Sequence, residues 1–235
     1  MKAGILAAGQ GTRLKGKGIM TPKPLVMLGG MFLIERLLHE IDHVGIRDVV
    51  CIVNAEEGDT IEQALRGRIP DVALTLIKKT TASSFESFMT IKDFLLDETS
   101  IVFTVDAIFR SEVLQGFLDY THTLKGWDAI LTLTDFIDDE KPLRVVLDEH
   151  QRIAKIGEKV TTSRYITSGI YAFTPEIFAE AQVAEGKPLS SLRSFLTLLV
   201  EKGYRVFGYI APKMVDVDRP EDIEEGERYL REQGA

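Results

Sequence analysis

The chain has 235 residues, 45% of them hydrophobic, enough for a sizeable core and close to the length of one α/β domain, so a single unit over residues 1–235 is expected. A formal charge of −8 excludes broad electrostatic attraction to nucleic acid or to an anionic membrane, so any anionic substrate must meet a local cluster of Lys and Arg. No apolar run approaches the ~20 residues of a membrane span. The N-terminus opens straight into a strand pattern without a signal-type segment, and a cytosolic location is expected.

Along the chain, Lys2–Ala7 reads as a buried strand that runs into a turn containing Gly9 and Gly11. Phe32–Val44 follows as a helix, with Leu33, Leu37, Leu38 and Ile41 at helical spacing. Asp48–Val53, Val72–Ile77 and Ile101–Val105 are further strands, alternating with helices over Thr60–Arg68 and Ser84–Leu96. The single cysteine, Cys51, lies inside an apolar strand and reads as a small core side chain; neither a disulfide framework nor a cysteine-based zinc site can be built from it.

Such alternation is the signature of βαβ units, a mostly parallel sheet with helices on both faces. In the second half, Ala129–Thr134, Leu143–Leu147 and Arg152–Ile156 are strands, the last two joined by a hairpin turn at Asp148–Gln151. Ile166–Phe173 is another strand, and Pro175 opens a helix where a missing N–H costs nothing. A helix over Ser190–Lys202, a strand over Tyr204–Ile210, a short strand over Met214–Val217 and a helix over Pro220–Arg231 complete the chain. The expected fold is α/β, a three-layer α/β/α Rossmann-like arrangement around a mixed, mostly parallel sheet. Ligands in such sheets sit beyond the carboxyl ends of the strands.

The turn after the first strand fits two familiar phosphate loops badly. A dinucleotide fingerprint wants glycine where Leu14 stands and a helix that continues, which Lys15-Gly-Lys-Gly18 and Pro22 forbid. A Walker A loop read from Gly11 to Lys17 would end in Ser or Thr, and the next residue is Gly18. What distinguishes the turn is Arg13 followed ten residues on by Lys23, two cations suited to a triphosphate; a merely solvated basic loop is the alternative. The histidines His39, His43, His122 and His150 are scattered and read as surface or packing side chains.

Leu6-Ala-Ala-Gly-Gln-Gly-Thr-Arg-Leu14 followed by Pro22-Lys23-Pro-Leu25 resembles the signature of the sugar-1-phosphate nucleotidyltransferases, which make NDP-sugars from an NTP and a sugar 1-phosphate. The resemblance implies the nucleotide-diphospho-sugar transferase fold. It implies that Leu6, Ala7, Ala8 and Gly9 hold base and ribose, that Gly11, Thr12 and Arg13 cover the triphosphate, and that Lys23 contacts the phosphates of both reactants. Phe103-Thr-Val-Asp106 resembles the strand ending in a metal-binding aspartate, with Val105 where a glycine is usual. Glu158 and Lys159 resemble a pair that binds the sugar hydroxyls and the sugar phosphate, and Gly169 a glycine under the sugar. Asp216 resembles the second metal ligand, although Asp218 on the same side of an extended segment competes for that role; each could instead start the helix near Pro220. The implied cofactor is Mg²⁺, which takes one or two carboxylates and completes its shell with phosphate oxygens and water.

Specificity is less legible. The segment Lys78-Lys-Thr-Thr-Ala-Ser-Ser84-Phe-Glu-Ser87 replaces the base-reading pattern of many relatives. Ser83 and Ser84 could touch the nucleotide or could cap the next helix. The expected function is Mg²⁺-dependent nucleotidyl transfer from an NTP to a sugar 1-phosphate. A CTP-dependent enzyme for phosphocholine or inositol phosphate and a non-catalytic nucleotide-binding protein are the alternatives. A homo-oligomer stays open.

Overall fold

The computed structural model describes residues 1–136, 142–184 and 189–232. In chain order they form β1 (Lys2–Ala7), α1 (Thr12–Gly16), β2 (Met27–Leu28), β3 (Met31–Phe32), α2 (Leu33–His43), β4 (Asp48–Val53), α3 (Gly58–Leu65) and β5 (Ala73–Lys78). Next come α4 (Ser84–Leu95), β6 (Ser100–Thr104), β7 (Ala107–Ile108), α5 (Ser111–Thr123), β8 (Ala129–Thr134), β9 (Arg144–Leu147) and β10 (Ile153–Gly157). The chain then runs through β11 (Tyr165–Phe173), α6 (Pro175–Ala184), α7 (Leu192–Glu201), β12 (Val206–Ile210), β13 (Val215–Asp216) and α8 (Pro220–Arg231).

Nine strands make one sheet in the order β10-β9-β11-β6-β1-β4-β5, with β8 also on β11 and β12 on β8. The ladders of β1, β4, β5 and β6 are parallel, as is the β8–β12 pair, whereas β11 runs against β6, β8 and β9, and β10 runs against β9. Seven of the nine strands therefore share one direction. The expected mixed, mostly parallel sheet is what the chain builds.

Alternate residues of each central strand feed opposite cores. Ala3, Ile5 and Ala7 of β1 and Val49, Cys51 and Val53 of β4 pack under α2, α3 and α5; Leu6, Val50 and Ile52 pack under α4, α6 and α7. The second core is aromatic, with Phe88 of α4 against Phe173, Phe178 and Phe195 at centroid distances of 5.4–5.8 Å. Both faces are covered, which gives the three layers. Cys51 is fully buried, and its thiol pKa is raised by that burial. Among the described residues no helix is long and apolar enough to cross a membrane.

The hairpin at 148–151 forms as the sequence indicates. Asp148 Oδ1 accepts from the amides of His150 and Arg152, and Gln151 adopts φ 62°. The helix expected over residues 60–68 starts two residues earlier and stops at Leu65, and α5 appears where the sequence reading assigned no element.

Candidate active site

The turn after β1 sinks Ala7 and Ala8 into the fold and leaves Gly9 and Gln10 exposed. Gly11 takes φ 58°, a left-handed conformation suited to glycine, and α1 starts from it. One turn of helix follows, and the chain leaves it at Lys17 and at Gly18, whose φ is 90°. This early stop is what rules out a dinucleotide-type helix. Lys23 opens a single 3-10 turn, Lys23–Leu25, pinned by buried Pro24 and Leu25. A Cβ on Gly11 would lie 3.4 Å from Lys23 Cβ, so the turn and the lysine are in contact.

Opposite stand three carboxylates. Asp106 follows β6, and the two-residue pair β7–β13, with Ala107 facing Asp216, brings the distant 215–218 segment beside it. Val217 N–H also donates to Asp106 O at 3.0 Å. Lys23 Nζ donates to Asp106 Oδ2 at 2.5 Å and to Asp218 Oδ1 at 2.6 Å, while Arg13 Nη1 donates to Asp218 Oδ2 at 2.6 Å. Asp218 is therefore no helix cap. That work falls to buried Asp222, whose Oδ2 accepts from the amides of Asp218 at 2.8 Å and Arg219 at 2.6 Å.

The charges are unequal in comfort. Burial alone would lower the pKa of the Lys23 ammonium, but Asp106 and Asp218 outweigh it and hold the group charged, above the usual lysine value. Burial works against the Asp106 carboxylate too; the charge and hydrogen bond of Lys23, helped by the Thr104 hydroxyl, bring its pKa below the usual range. At Asp216 the positive charges of Lys23 and Arg193 act too weakly to do the same. Burial and then the charges of Asp106 and Asp218 push its pKa up to about 7, and its solvent-shielded Oδ1 has no hydrogen-bond partner among the described residues.

These groups line one cavity of about 670 Å³ beyond the carboxyl ends of β1 and β6. Its wall includes Leu6, Ala7, Ala8, Gly9, Gly11, Thr12 and Arg13 from the turn, then Lys23, Ser83, Ser84, Asp106, Gly169, Asp216 and Asp218. Ser83 caps α4, its Oγ accepting from Glu86 N–H at 3.1 Å, and Ser84 Oγ accepts from Leu192 N–H at 2.9 Å. The helix-capping reading of Ser83 thus holds, with both hydroxyls at the cavity rim. Ser191 caps α7 in the same way, accepting from Ser194 N–H at 3.1 Å, so two helix starts meet there. Glu158 and Lys159 are not in this wall: they lie exposed past the end of β10. Gly169 is, at φ 82°, with a would-be Cβ only 2.4 Å from Thr104 Oγ1.

Sequence reasoning missed Ser87, Thr104, Thr167, Tyr171 and Arg193, all on the wall. Arg193 contributes positive potential at Asp216 and Tyr171. Its only sequence signal is its place in the first turn of a helix whose start is marked by Ser190 and Ser191.

A strand-edge cavity with a glycine turn and a cation pair on one side and clustered carboxylates on the other defines a phosphate-handling α/β protein. The chain belongs to the nucleotidyl transferase family, whose model matches residues 2–233. It is 26% identical over 238 residues to the bifunctional protein GlmU of Methanocaldococcus jannaschii, across 98% of this chain and 54% of that one. It is 26% identical to the mannose-1-phosphate guanylyltransferase of Mycobacterium tuberculosis, across 94% of this chain and 62% of that one. The chain thus spans between half and two thirds of the length of these relatives. Among solved structures, the inositol-1-phosphate CTP transferase from T. maritima superposes with a TM-score of 0.82 at 21% identity, over 99% of this chain and 96% of that one, which shows the shared fold.

Proposed function

We propose that the chain, acting as one unit, transfers a nucleotidyl group from an NTP to a sugar 1-phosphate and releases pyrophosphate. The observation that carries this reading is the chain of contacts Arg13–Asp218–Lys23–Asp106 on the cavity wall beside the buried, unpartnered oxygen of Asp216. An acceptor phosphate monoester has a second pKa of about 6 and is largely dianionic at neutral pH. Its oxygen needs no general base. It attacks the α-phosphorus, a new O–P bond forms, the bond to the α–β bridging oxygen breaks, and pyrophosphate carries away the electron pair. The residues have to hold two polyanions in line and neutralise charge at the α-phosphorus. Arg13 and Lys23 supply fixed cations, and the Gly9–Gly11 backbone allows close approach of phosphate.

The carboxylates suit a divalent cation, in this reading Mg²⁺. A carboxylate oxygen without a hydrogen-bond partner among the described residues, crowded by two like charges, suits a hard cation, and the donors are hard oxygens. Among the described residues no group of three or more His, Cys, Asp or Glu forms a ready-made cage, which accords with an ion whose remaining ligands are phosphate and water. Asp106 and Asp216 would hold it, with Asp218 kept on Lys23 and Arg13. Bound there, Mg²⁺ would neutralise phosphate charge.

Glu158 and Lys159 enter the reading as acceptor contacts from beyond β10. E158A and K159A should then raise the KM for the acceptor and leave the KM for NTP unchanged; an unchanged acceptor KM removes them from the site. The function itself is tested by pyrophosphate release with each of four NTPs, Mg²⁺ and a panel of sugar 1-phosphates, phosphocholine and inositol phosphate. Turnover with a sugar 1-phosphate is expected. Turnover only with CTP and a phospho-alcohol reassigns the acceptor, and NTP binding without pyrophosphate from any pair makes the protein a binder.

A further inference from the structure

The floor of the cavity at Gly169 belongs to an irregular stretch of β11. Against β8, Thr167 pairs with Leu133 and Tyr171 with Leu131, so Ser168, Gly169 and Ile170 all face the single residue Thr132. On its other edge β11 pairs in register with β6 from Ile170, opposite Phe103, to Phe173, and with β9 at Tyr165 and Ile166. The excess chain is taken up as a bulge that drives Gly169 against Thr104, the residue that ends β6 two positions before Asp106.

What holds the bulge is one hydroxyl. Thr132 Oγ1 donates to Ile170 O at 3.0 Å and accepts from Ile170 N–H at 3.2 Å and from Ser168 Oγ–H at 3.1 Å. A threonine hydroxyl has one proton and two lone pairs, so all of its capacity is spent on this bulge. Thr132 is fully buried and has no place in the cavity wall. Its neighbours on the same face of β8 are Ile130 and Thr134, both buried, so its hydroxyl has to find its partners within the protein.

We propose that Thr132 is a positioning residue for nucleotidyl transfer: through Ser168 and Ile170 it fixes the bulge that presses Gly169 onto Thr104 and so sets the place of Asp106. This rests on the function proposed above. Thr132 touches neither substrate; it acts through the backbone of β11. Valine at 132 keeps nearly the same shape and removes all three bonds, while serine keeps the hydroxyl.

The test combines amide exchange followed by mass spectrometry with steady-state kinetics of pyrophosphate release, on the wild type, T132V, T132S and S168A. T132V should exchange faster in peptides covering 168–170 and 103–106 and nowhere else, and its kcat should fall about tenfold with the KM for NTP within about twofold. T132S should restore both. A folded T132V with wild-type exchange and kcat overturns the proposal, as does equal damage in T132V and T132S, since the hydroxyl is then not the agent. If T132V does not fold, S168A decides: faster exchange at 168–170 with a severalfold lower kcat supports the clamp, and wild-type behaviour overturns it. A wild type silent over the whole acceptor panel sinks the functional reading alone, because the exchange arm still reports whether Thr132 holds the bulge.

Discussion

Lys23 stands between the carboxylates of Asp106 and Asp218 with its side chain only 10% exposed. K23M is expected to lower kcat by about 10²–10³, the usual scale for removing one preorganised charge contact at a phosphoryl centre. Assaying pyrophosphate release by K23M checks this, and a loss confined to KM would mean that Lys23 only binds ground-state phosphate. Asp216 invites the opposite mutation. Its carboxylate is disfavoured by burial and by Asp106 and Asp218, so D216N should abolish turnover while raising the thermal midpoint of the metal-free protein. A lowered midpoint would show that the Asp216 charge is compensated in solution. The residues of this contrast were legible because the turn and Pro22-Lys23-Pro24 are contiguous in the chain, and Asp106 ends an apolar run. Thr104, Thr132 and Arg193 were not. Nothing in the local sequence marks the two threonines, Arg193 has only its place at a helix start, and strand register and helix placement bring all three to the site.

Strands and helices are held by a few side chains whose loss can be measured. Parallel β8 and β12 are tied at one end by Asp128, which accepts from Arg205 N–H at 2.7 Å and from Arg205 Nη2 at 2.7 Å. Burial raises the Asp128 pKa, but the hydrogen bonds and charge of Arg205 outweigh it and leave it below the usual aspartate value. With the native pKa lower than the unfolded one, the contribution is present above the unfolded pKa and disappears as pH falls through the native value. D128N should therefore be less stable by about 1 kcal/mol at neutral pH, and urea midpoints of mutant and wild type should converge as the solution is acidified below the aspartate range. A gap that persists in acid would assign the loss to shape. S83A, which strips the cap of α4, should likewise cost about 1 kcal/mol in the same measurement. Most elements could be read from the chain because buried strands are apolar runs and surface helices repeat at helical spacing. The pattern for α5 is present in Val113, Leu114, Phe117 and Leu118, without a Gly or Pro signal to frame it. Of the β7–β13 pair that joins Asp106 to Asp216, β13 falls within the short strand expected over Met214–Val217, whereas β7, two residues long, is too short for any periodicity to show.

At the scale of the molecule, the cavity is where the two cores meet. Its wall draws on Gly11 and Lys23 from the α2 side, Ser84 and Leu192 from the α4 and α7 side, and Asp216 from the last strand. The alternation of strands and helices made the layers legible, but which layer each helix joins follows from crossovers that the sequence does not mark. A ligand seated there bridges segments some two hundred residues apart, so binding should stabilise both layers together. With an NTP and Mg²⁺ at about a hundred times the Kd, linkage predicts roughly 2.7 kcal/mol of added stability. For a chain of this size that is a rise in Tm on the order of 5–10 °C. Trp127, the only tryptophan, packs against the α5 core and reports that layer by fluorescence, while far-ultraviolet circular dichroism reports all helices. The two melting curves should coincide without ligand and shift by the same amount with it. If the dichroism transition moved and the Trp127 transition stayed behind, the ligand would be stabilising the α4–α7 layer alone, and Arg13 and Lys23 on the opposite side could not be among its principal contacts.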